Sequence, residues 1–466
     1  MNHLRIPFGK PSITEHEIEA VRAVLESGWI GQGPRVQEFE EGLRRETLAQ
    51  HIVAVSSCTA ALHLALLSLG VGSGDEVIVP SFTWCSTANA AIYAGAKPVF
   101  CDICPETLLA DIDDIARKVT SRTKAVIVVH FGGLCLDIDE LRKRIPSRIE
   151  IIEDAAHALG GRYANGQPVG SSESVTCFSF YPNKNLTTCE GGAVATSRLD
   201  IAESIRSLRQ HGLQANAWLR FSDPRVSLGG AIVQQIGYKM NMTDMQAALG
   251  LAQLKRFGGM QDKRLEIVET YLGLIEDLPL KPQFEIDSSN HARHLFTVLL
   301  PDSFGSNGRN NLVSKLREAG IGVAVHYAPL HMMPVYNCEY RLPNTEAIYE
   351  RIMSLPLSAA MSIEDACSTV AALRGLLSEE VGELQRVGPL LHERLEKRLD
   401  LIVEDALDEE CFLPEIIDEE GSPSISDRSL RHSVEVTTPS NDLATSCLVE
   451  AEDAAQLTTP SSEESK

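Results

Sequence analysis

The chain has 466 residues, 44% of them hydrophobic and 23% charged, an ordinary balance for a globular protein of two or three units. No apolar run is long enough to cross a bilayer and the N-terminus carries no secretory stretch, so neither a membrane partner nor export is expected and the cytoplasm is the expected location. The formal net charge of −22 argues against a nucleic-acid partner, because phosphates would be repelled.

The first predicted element is a helix over Ile13–Ser27, with Thr14 as N-cap and Glu17 three residues on as a capping box. The run Gly28-Trp29-Ile30-Gly31-Gln32-Gly33-Pro34 breaks it. Strands are then predicted at His51–Ser56, Glu76–Pro80, Lys97–Asp102, Thr123–His130, Ile149–Glu153, Ser174–Phe180 and Gly192–Thr196. Helices are predicted between several of them, at Thr59–Leu69, Ala88–Ala94 and Ile138–Arg144. Continuous β-branched runs such as Val126-Ile127-Val128-Val129 suit strands covered on both faces, and the strand–helix alternation describes a mainly parallel α/β sheet. Sequence alone does not give the strand order. Cys101 and Cys104 form a lone C-x-x-C. The eleven cysteines are scattered and no second pair accompanies these two, so they read as small residues at a strand end in a reducing compartment.

After Met242 the pattern predicts helices at Thr243–Phe257 and Gln261–Leu278, a strand at Leu295–Leu300, and helices at Asn310–Ala319, Thr345–Met353 and Ser362–Leu376. The expected organisation is therefore a large unit over 1–245 and a smaller α+β unit over 246–384. An amphipathic helical extension follows at 385–408, its stripe formed by Leu391, Leu395, Leu399, Ile402 and Ala406. From Leu391 onward about 20 carboxylates stand against about 6 Lys and Arg. Residues 409–466, acidic and rich in Ser, Thr and Pro, are expected to be a disordered tail, because they cannot bury enough apolar surface to offset chain entropy.

Three chemical signals fall at strand ends, where an open α/β sheet places its ligands. Ser57-Cys58-Thr59 follows the first strand and starts a helix, whose backbone N–H groups can hold a phosphate; taken alone, these residues are ordinary N-caps. Asp154 ends a buried strand, where a carboxylate needs a cationic partner, though it could equally cap the next helix. Lys184 follows a strand and precedes Glu190-Gly191-Gly192. A partly desolvated lysine can form a Schiff base, whereas an isolated one is usually a solvated surface group. The case rests on the ordered set of all three.

The ordered set resembles the DegT/DnrJ/EryC1/StrS family of sugar-nucleotide aminotransferases over roughly residues 4 to 380. The matching stretches are Ser27-Gly28-Trp29 to Gly33-Pro34, Ser57-Cys58-Thr59-Ala60-Ala61-Leu62, Pro80-Ser81-Phe82-Thr83-Trp84, Glu153-Asp154-Ala155-Ala156-His157, Phe178-Ser179-Phe180 with Lys184, Glu190-Gly191-Gly192, and Gly237 to Thr243. Leu25 to Ile30, Thr83-Trp84 and Leu342-Pro343-Asn344-Thr345-Glu346 are especially similar to the branch of the family that makes UDP-4-amino-4-deoxy-L-arabinose. The resemblance implies a fold-type I aminotransferase, a three-layer α/β/α large domain with a smaller α+β C-terminal domain. The implied cofactor is pyridoxal 5'-phosphate, and the implied partners are a nucleotide-sugar substrate, an amino acid donor such as L-glutamate, and a second copy of the chain in a homodimer.

By the same resemblance, Lys184 would be the catalytic residue that holds the cofactor and moves the proton. Asp154 would keep the pyridine nitrogen protonated. Trp84 would stack on the ring and His157 would sit beside it. Ser57, Cys58, Thr59 and Ser179 would hold the phosphate, with Asn241 reaching it from the partner subunit. Trp29, His326 and Tyr327 would line the sugar site. No metal site is implied. Cys58 stands where the family often has Gly or Ala, and a thiol is small enough to fit. The competing reading is a catalytically idle scaffold that binds partners through its acidic tail; keeping Lys184 together with Asp154 and Glu190-Gly191-Gly192 argues against it.

Overall fold

The computed structural model describes residues 4–213, 221–222, 232–283 and 290–378. The seven predicted strands are all present: β1 (His51–Val55), β2 (Glu76–Pro80), β3 (Lys97–Cys101), β4 (Thr123–Val129), β5 (Glu150–Asp154), β6 (Val175–Ser179) and β7 (Gly192–Thr196). They form one sheet in the order β1-β7-β6-β5-β4-β2-β3. Strand β7 runs antiparallel to both β1 and β6, and every other pairing is parallel. The C-terminal ends of the other six strands therefore lie along a single edge.

Seven helices accompany this sheet: α1 (Glu15–Ser27), α2 (Pro34–Thr47), α3 (Cys58–Ser68), α4 (Ser86–Tyr93), α5 (Ile112–Lys118), α6 (Ile138–Arg144) and α7 (Leu199–Leu208). Alternation along the strands feeds two cores. Ala125 and Ile127 pack with Leu62 and Leu66 of α3, Ala91 of α4 and Ile205 of α7. Val126 and Val128 pack on the opposite face with Phe39 of α2, Ile115 of α5 and Leu141 of α6. The result is the expected three-layer α/β/α arrangement. Helix α3 is apolar nearly all round because the sheet and two helices surround it.

Helix α2 is absent from the sequence reading, which took Pro34 as part of a break. Pro34 is instead the first residue of the helix, a position where its missing N–H costs nothing. The free N–H groups there are satisfied from far along the chain: Gly33, Arg35 and Val36 donate to the carboxylate of Asp244 at 2.7, 3.2 and 3.1 Å.

The two helices predicted after Met242 are one, α8 (Asp244–Ile275), capped by Thr243 and Gln246. Gly258-Gly259 falls in the gap between the two predicted helices. Both glycines face solvent while Phe257 and Met260 on either side are buried, so packing carries the helix through the weak point. An added methyl group at either glycine would meet nothing within 4 Å. Gly258→Ala and Gly259→Ala are each expected to stabilise the protein by about 1 kcal/mol, read as a higher urea midpoint with unchanged slope.

A second sheet of three antiparallel strands, β8 (Lys281–Pro282), β9 (Phe296–Leu299) and β10 (Ile352–Leu355), has the order β10-β9-β8. It packs with the C-terminal half of α8, with α9 (Gly305–Glu318) and with a helix, α11, over residues 363–378, around Ile267, Tyr271, Phe296, Leu312, Met353 and Leu373. The helix predicted over Thr345–Met353 stops earlier, as α10 (Pro343–Arg351). Ile352 and Met353 pair with Leu299 and Val298 instead, because a neighbouring strand offers their backbone a ladder and their side chains a core. The predicted extension at 385–408 and tail at 409–466 lie outside the described residues.

Candidate active site

The edge formed by the strand ends brings the three sequence signals together. Strand β5 delivers Asp154, β6 delivers Ser179 and, five residues on, Lys184, and β1 leads into the start of α3. Ser57, Cys58, Thr59, Asp154, Ser179 and Lys184 all line one cavity of about 520 Å³, and Trp84, His157, His326 and Tyr327 line it too. Trp29 and Asn241 do not line this cavity in a single chain. The Trp29 indole donates to the Gln32 carbonyl at 3.1 Å, and the Asn241 amide donates to the Met242 carbonyl at 3.1 Å while its buried Oδ1 has no hydrogen-bond partner.

Asp154 is buried, and burial raises the pKa of its carboxyl. Donors pull the other way: the Thr87 hydroxyl at 2.8 Å, the Ala156 N–H at 3.2 Å and the positive charge of Lys184. A protonated ring nitrogen would give this carboxylate the cation that its setting favours. The Cys58 thiol lies 3.8 Å from Asp154 Oδ1 and 3.6 Å from the Cys177 carbonyl. Burial, followed by the adjacent carboxylate, pushes its pKa well up, so Cys58 is a neutral thiol.

Lys184 is only partly exposed, and burial lowers its pKa to about 8, with Asp154 and Cys58 opposing the fall. The unprotonated form of its amine, the form that attacks a carbonyl, is thus far more populated near neutral pH than in a solvated lysine, although still the minor form.

The helix start at Ser57 is a built cradle. The Ser57 hydroxyl takes the Ala60 N–H at 3.1 Å, which leaves the N–H groups of Cys58 and Thr59 in the first turn for an anion. Gly192 explains the Glu190-Gly191-Gly192 run: a Cβ there would stand 2.5 Å from the Ser57 carbonyl carbon and 2.6 Å from the Cys58 nitrogen. Gly192→Ala is expected to displace the cradle, weakening phosphate-bearing ligands at least tenfold and destabilising the fold by roughly 1–3 kcal/mol. Calorimetric titration and thermal melting read the two effects separately.

His157 is held as one tautomer. Its Nδ1 accepts the Gly132 N–H at 3.2 Å, so the neutral ring carries its proton on Nε2, 3.2 Å from the Tyr327 hydroxyl. Burial, reinforced by Lys184, keeps His157 well below the usual histidine range. Tyr327 therefore accepts from His157 and is free to donate its own proton. Trp84 keeps 62% of its surface exposed and lines the cavity with its flat ring.

The sequence reading missed Ser86 and Asn183 on the cavity wall and Thr87 behind Asp154, and it quoted Thr83 in a motif without a role. No local pattern marks Thr87, whose partner lies 67 residues on. The reading quoted Glu153 in a motif without a role. Its side chain points away from the cavity, as alternation requires, and accepts from His130 at 2.8 Å, Tyr163 at 2.7 Å and Thr176 at 3.3 Å. This bonding outweighs burial and keeps the carboxyl pKa low, anchoring the strand that carries Asp154.

A buried carboxylate for a ring nitrogen, an amine of lowered pKa and a helix start for a phosphate, all on one α/β edge, define the site of a pyridoxal-phosphate enzyme. The chain belongs to the DegT/DnrJ/EryC1/StrS aminotransferase family, whose profile matches residues 11–374. It is 42% identical over 386 residues to the spore coat polysaccharide biosynthesis protein SpsC of Bacillus subtilis, covering 81% of this chain and 98% of that one. It is 40% identical over 400 residues to the UDP-4-amino-4-deoxy-L-arabinose–oxoglutarate aminotransferase of Shewanella sediminis, covering 82% and 100%. Among solved structures, Spr1654 of Streptococcus pneumoniae, described as a sugar aminotransferase and determined in a PMP form, aligns with a TM-score of 0.76 and 32% identity over 81% of this chain and 100% of that one. The same protein in its PLP form aligns with a TM-score of 0.74 and 32% identity over 80% and 99%. The protein is thus a pyridoxal-phosphate-dependent aminotransferase.

Proposed function

We propose that the protein transfers an amino group from an amino acid, L-glutamate, to a keto-sugar carried on a nucleotide, a UDP-4-keto sugar, and that it works as a cytoplasmic homodimer. The observation that carries this reading is 40% identity, over 82% of this chain and the relative's whole length, to a protein named for a UDP-amino sugar and oxoglutarate. The cavity adds room for a cofactor and the reacting end of a sugar, with hydroxyl, imidazole and carboxylate groups on its wall.

In this reading Asp154 holds a proton at the ring nitrogen, and Cys58, Thr59 and Ser179 hold the phosphate, with Ser57 capping the helix that presents it. Pyridoxal phosphate, when bound, supplies an electron sink that lets a proton leave the carbon bearing the amine. The Lys184 amine removes that proton and returns one at the end of the transfer. Its enclosure on the cavity wall holds it close to the reacting carbon. Trp84 packs on the cofactor ring and excludes water from one side. His157 sits beside the ring and fixes the hydroxyl direction of Tyr327, which with His326 meets the sugar; Trp29 lies off this cavity in one chain and would meet the sugar only from a neighbouring subunit. Asn241 serves the neighbouring subunit's phosphate site through its Nδ2 amide, the donor that meets the Met242 carbonyl within one chain. A scaffold role is the less favoured reading, because Lys184, Asp154 and the Ser57–Thr59 helix start, the residues assigned here to the cofactor, line one cavity.

The test is the absorbance spectrum of the purified protein, before and after L-glutamate, for the parent and for Lys184→Ala. A band at the visible edge that bleaches with glutamate in the parent alone supports the donor half. Incubation with UDP-4-keto-pentose and mass spectrometry of the product then tests the acceptor half. A glutamate response without any aminated nucleotide sugar would overturn the acceptor assignment.

A further inference from the structure

Two motifs remain without a role: the Ser81 that opens the Ser81–Trp84 segment, and the Glu346 that closes Leu342-Pro343-Asn344-Thr345-Glu346. The fold joins them through His331. The Ser81 hydroxyl lies 2.7 Å from His331 Nδ1, and His331 Nε2 lies 3.1 Å from Glu346 Oε1. The Ser81 Oγ also accepts the backbone N–H of His331 at 3.0 Å, and the Ser81 carbonyl accepts that of Leu330 at 2.9 Å. The Glu346 carboxylate can only accept, so Nε2 of the neutral ring is the protonated nitrogen and Nδ1 accepts the Ser81 hydroxyl. The ring then carries its own proton on Nε2 and donates it to Glu346, which also accepts from Leu342 N at 3.0 Å and from Arg341.

The order serine, imidazole, carboxylate matches a hydrolytic triad, but burial excludes that chemistry. Ser81 is 0% exposed, His331 is 4% exposed, and neither lines the cavity. A polar chain whose serine and histidine are buried and whose hydrogen bonds are all made rigidifies what it connects. Here it connects the two walls of the site. Ser81 stands three residues before Trp84, and His331 four residues after Tyr327; the Trp84 and Tyr327 rings have centroids 6.1 Å apart and are tilted by 53° to one another. The far end of the chain is itself anchored. Asp102, just past β3, accepts from Asn344 N at 3.1 Å, Thr345 N at 2.8 Å and the Thr345 hydroxyl at 2.7 Å, tying the start of α10 to the main sheet.

We infer that Ser81, His331 and Glu346 are positioning residues that pin the Trp84 segment to the 326–331 segment and so set the spacing of Trp84 and Tyr327 across the cofactor cavity. The inference rests on the proposed contact of Trp84 with the cofactor ring. The full-length protein is measured for its pyridoxal phosphate dissociation constant, the circular dichroism of the bound cofactor in the visible, and its melting temperature. Ser81→Ala and His331→Gln, which lose the bond between these two residues, are expected to weaken cofactor binding roughly three- to tenfold and to alter the dichroic band. His331→Asn, whose amide oxygen reaches the Nδ1 position and can accept from Ser81, is expected to lie nearer the parent in both. Variants that only melt earlier, with affinity and dichroism unchanged, would overturn the inference. So would His331→Asn no better than His331→Gln. Trp84→Ala separates the two layers: if it moves both signals and Ser81→Ala moves neither, the pinning role alone falls, and if Trp84→Ala moves neither, its ring contact falls and the pinning role with it.

Discussion

Replacing Lys184 by alanine is expected to lower kcat for transamination roughly ten-thousand-fold while leaving the fold intact. The magnitude follows from what the amine does: it is both the attachment point and the group that moves the proton at the reacting carbon, and a positioned acid–base group contributes up to about 10⁴ in rate. No hydrogen bond or ion pair of the described residues depends on the Lys184 side chain, so alanine removes chemistry without removing structure. Single-turnover measurements with the amino donor are the check, and a variant retaining even a hundredth of the parent rate would remove Lys184 from the proton-transfer role.

The same lysine makes the cofactor-free protein sensitive to pH in a defined direction. Burial disfavours the ammonium form, so the amine loses its proton near 8 in the folded chain and near 10.5 in the unfolded one. Between those values the unfolded chain binds a proton that the folded chain does not. Lys184 therefore adds stability as pH rises through that window and adds none below about 8. The rate of cofactor capture is expected to rise with pH around the same midpoint. A flat capture rate from pH 7 to 9 would contradict the lowered pKa.

Asp154→Asn carries the second large effect, and its two readouts are expected to part: catalysis falls while cofactor-free stability does not. The amide keeps the shape of the carboxylate, so Ala156 can still donate to its oxygen and Thr87 can turn to accept from its nitrogen. The negative charge that holds a proton on the ring nitrogen is gone, and kcat is expected to fall roughly 10²- to 10³-fold, the scale of losing one preorganised charge from a water-poor site. Without cofactor, the buried carboxylate is a cost that bonding offsets only in part, as its raised pKa indicates. The variant should consequently melt no earlier than the parent when cofactor-free, and lose the extra stability that bound cofactor gives the parent. Equal melting gains on cofactor addition for both proteins would argue that Asp154 does not contact the ring.

Much of this site was legible before any coordinates. Asp154 follows a continuous apolar run that reads as a strand, and Lys184 follows another; chemistry at the end of such runs in an open α/β pattern is a local signal. The cradle at Ser57 is likewise local, because a helix start exposes its N–H groups wherever it occurs. Thr87, by contrast, reaches Asp154 from a helix after a different strand, and nothing at positions 86–93 marks it.

The chain by itself determined its elements wherever local physics is decisive: the seven strands from unbroken β-branched and apolar runs, α1 from its capping box, and α6 from its Asp137 cap and the apolar spacing of Ile138 and Leu141. Tertiary structure decided the rest, because there the deciding partner is distant. Helix α2 starts at Pro34 with its N–H groups held by Asp244, and α8 runs through two glycines because the residues beside them are buried. Ile352 and Met353 leave a helical pattern because β9 offers them a ladder. Residues as far apart as Ser81, His331 and Glu346 meet for the same reason: hydrogen bonds and packing act across space, and only the folded chain says what is near.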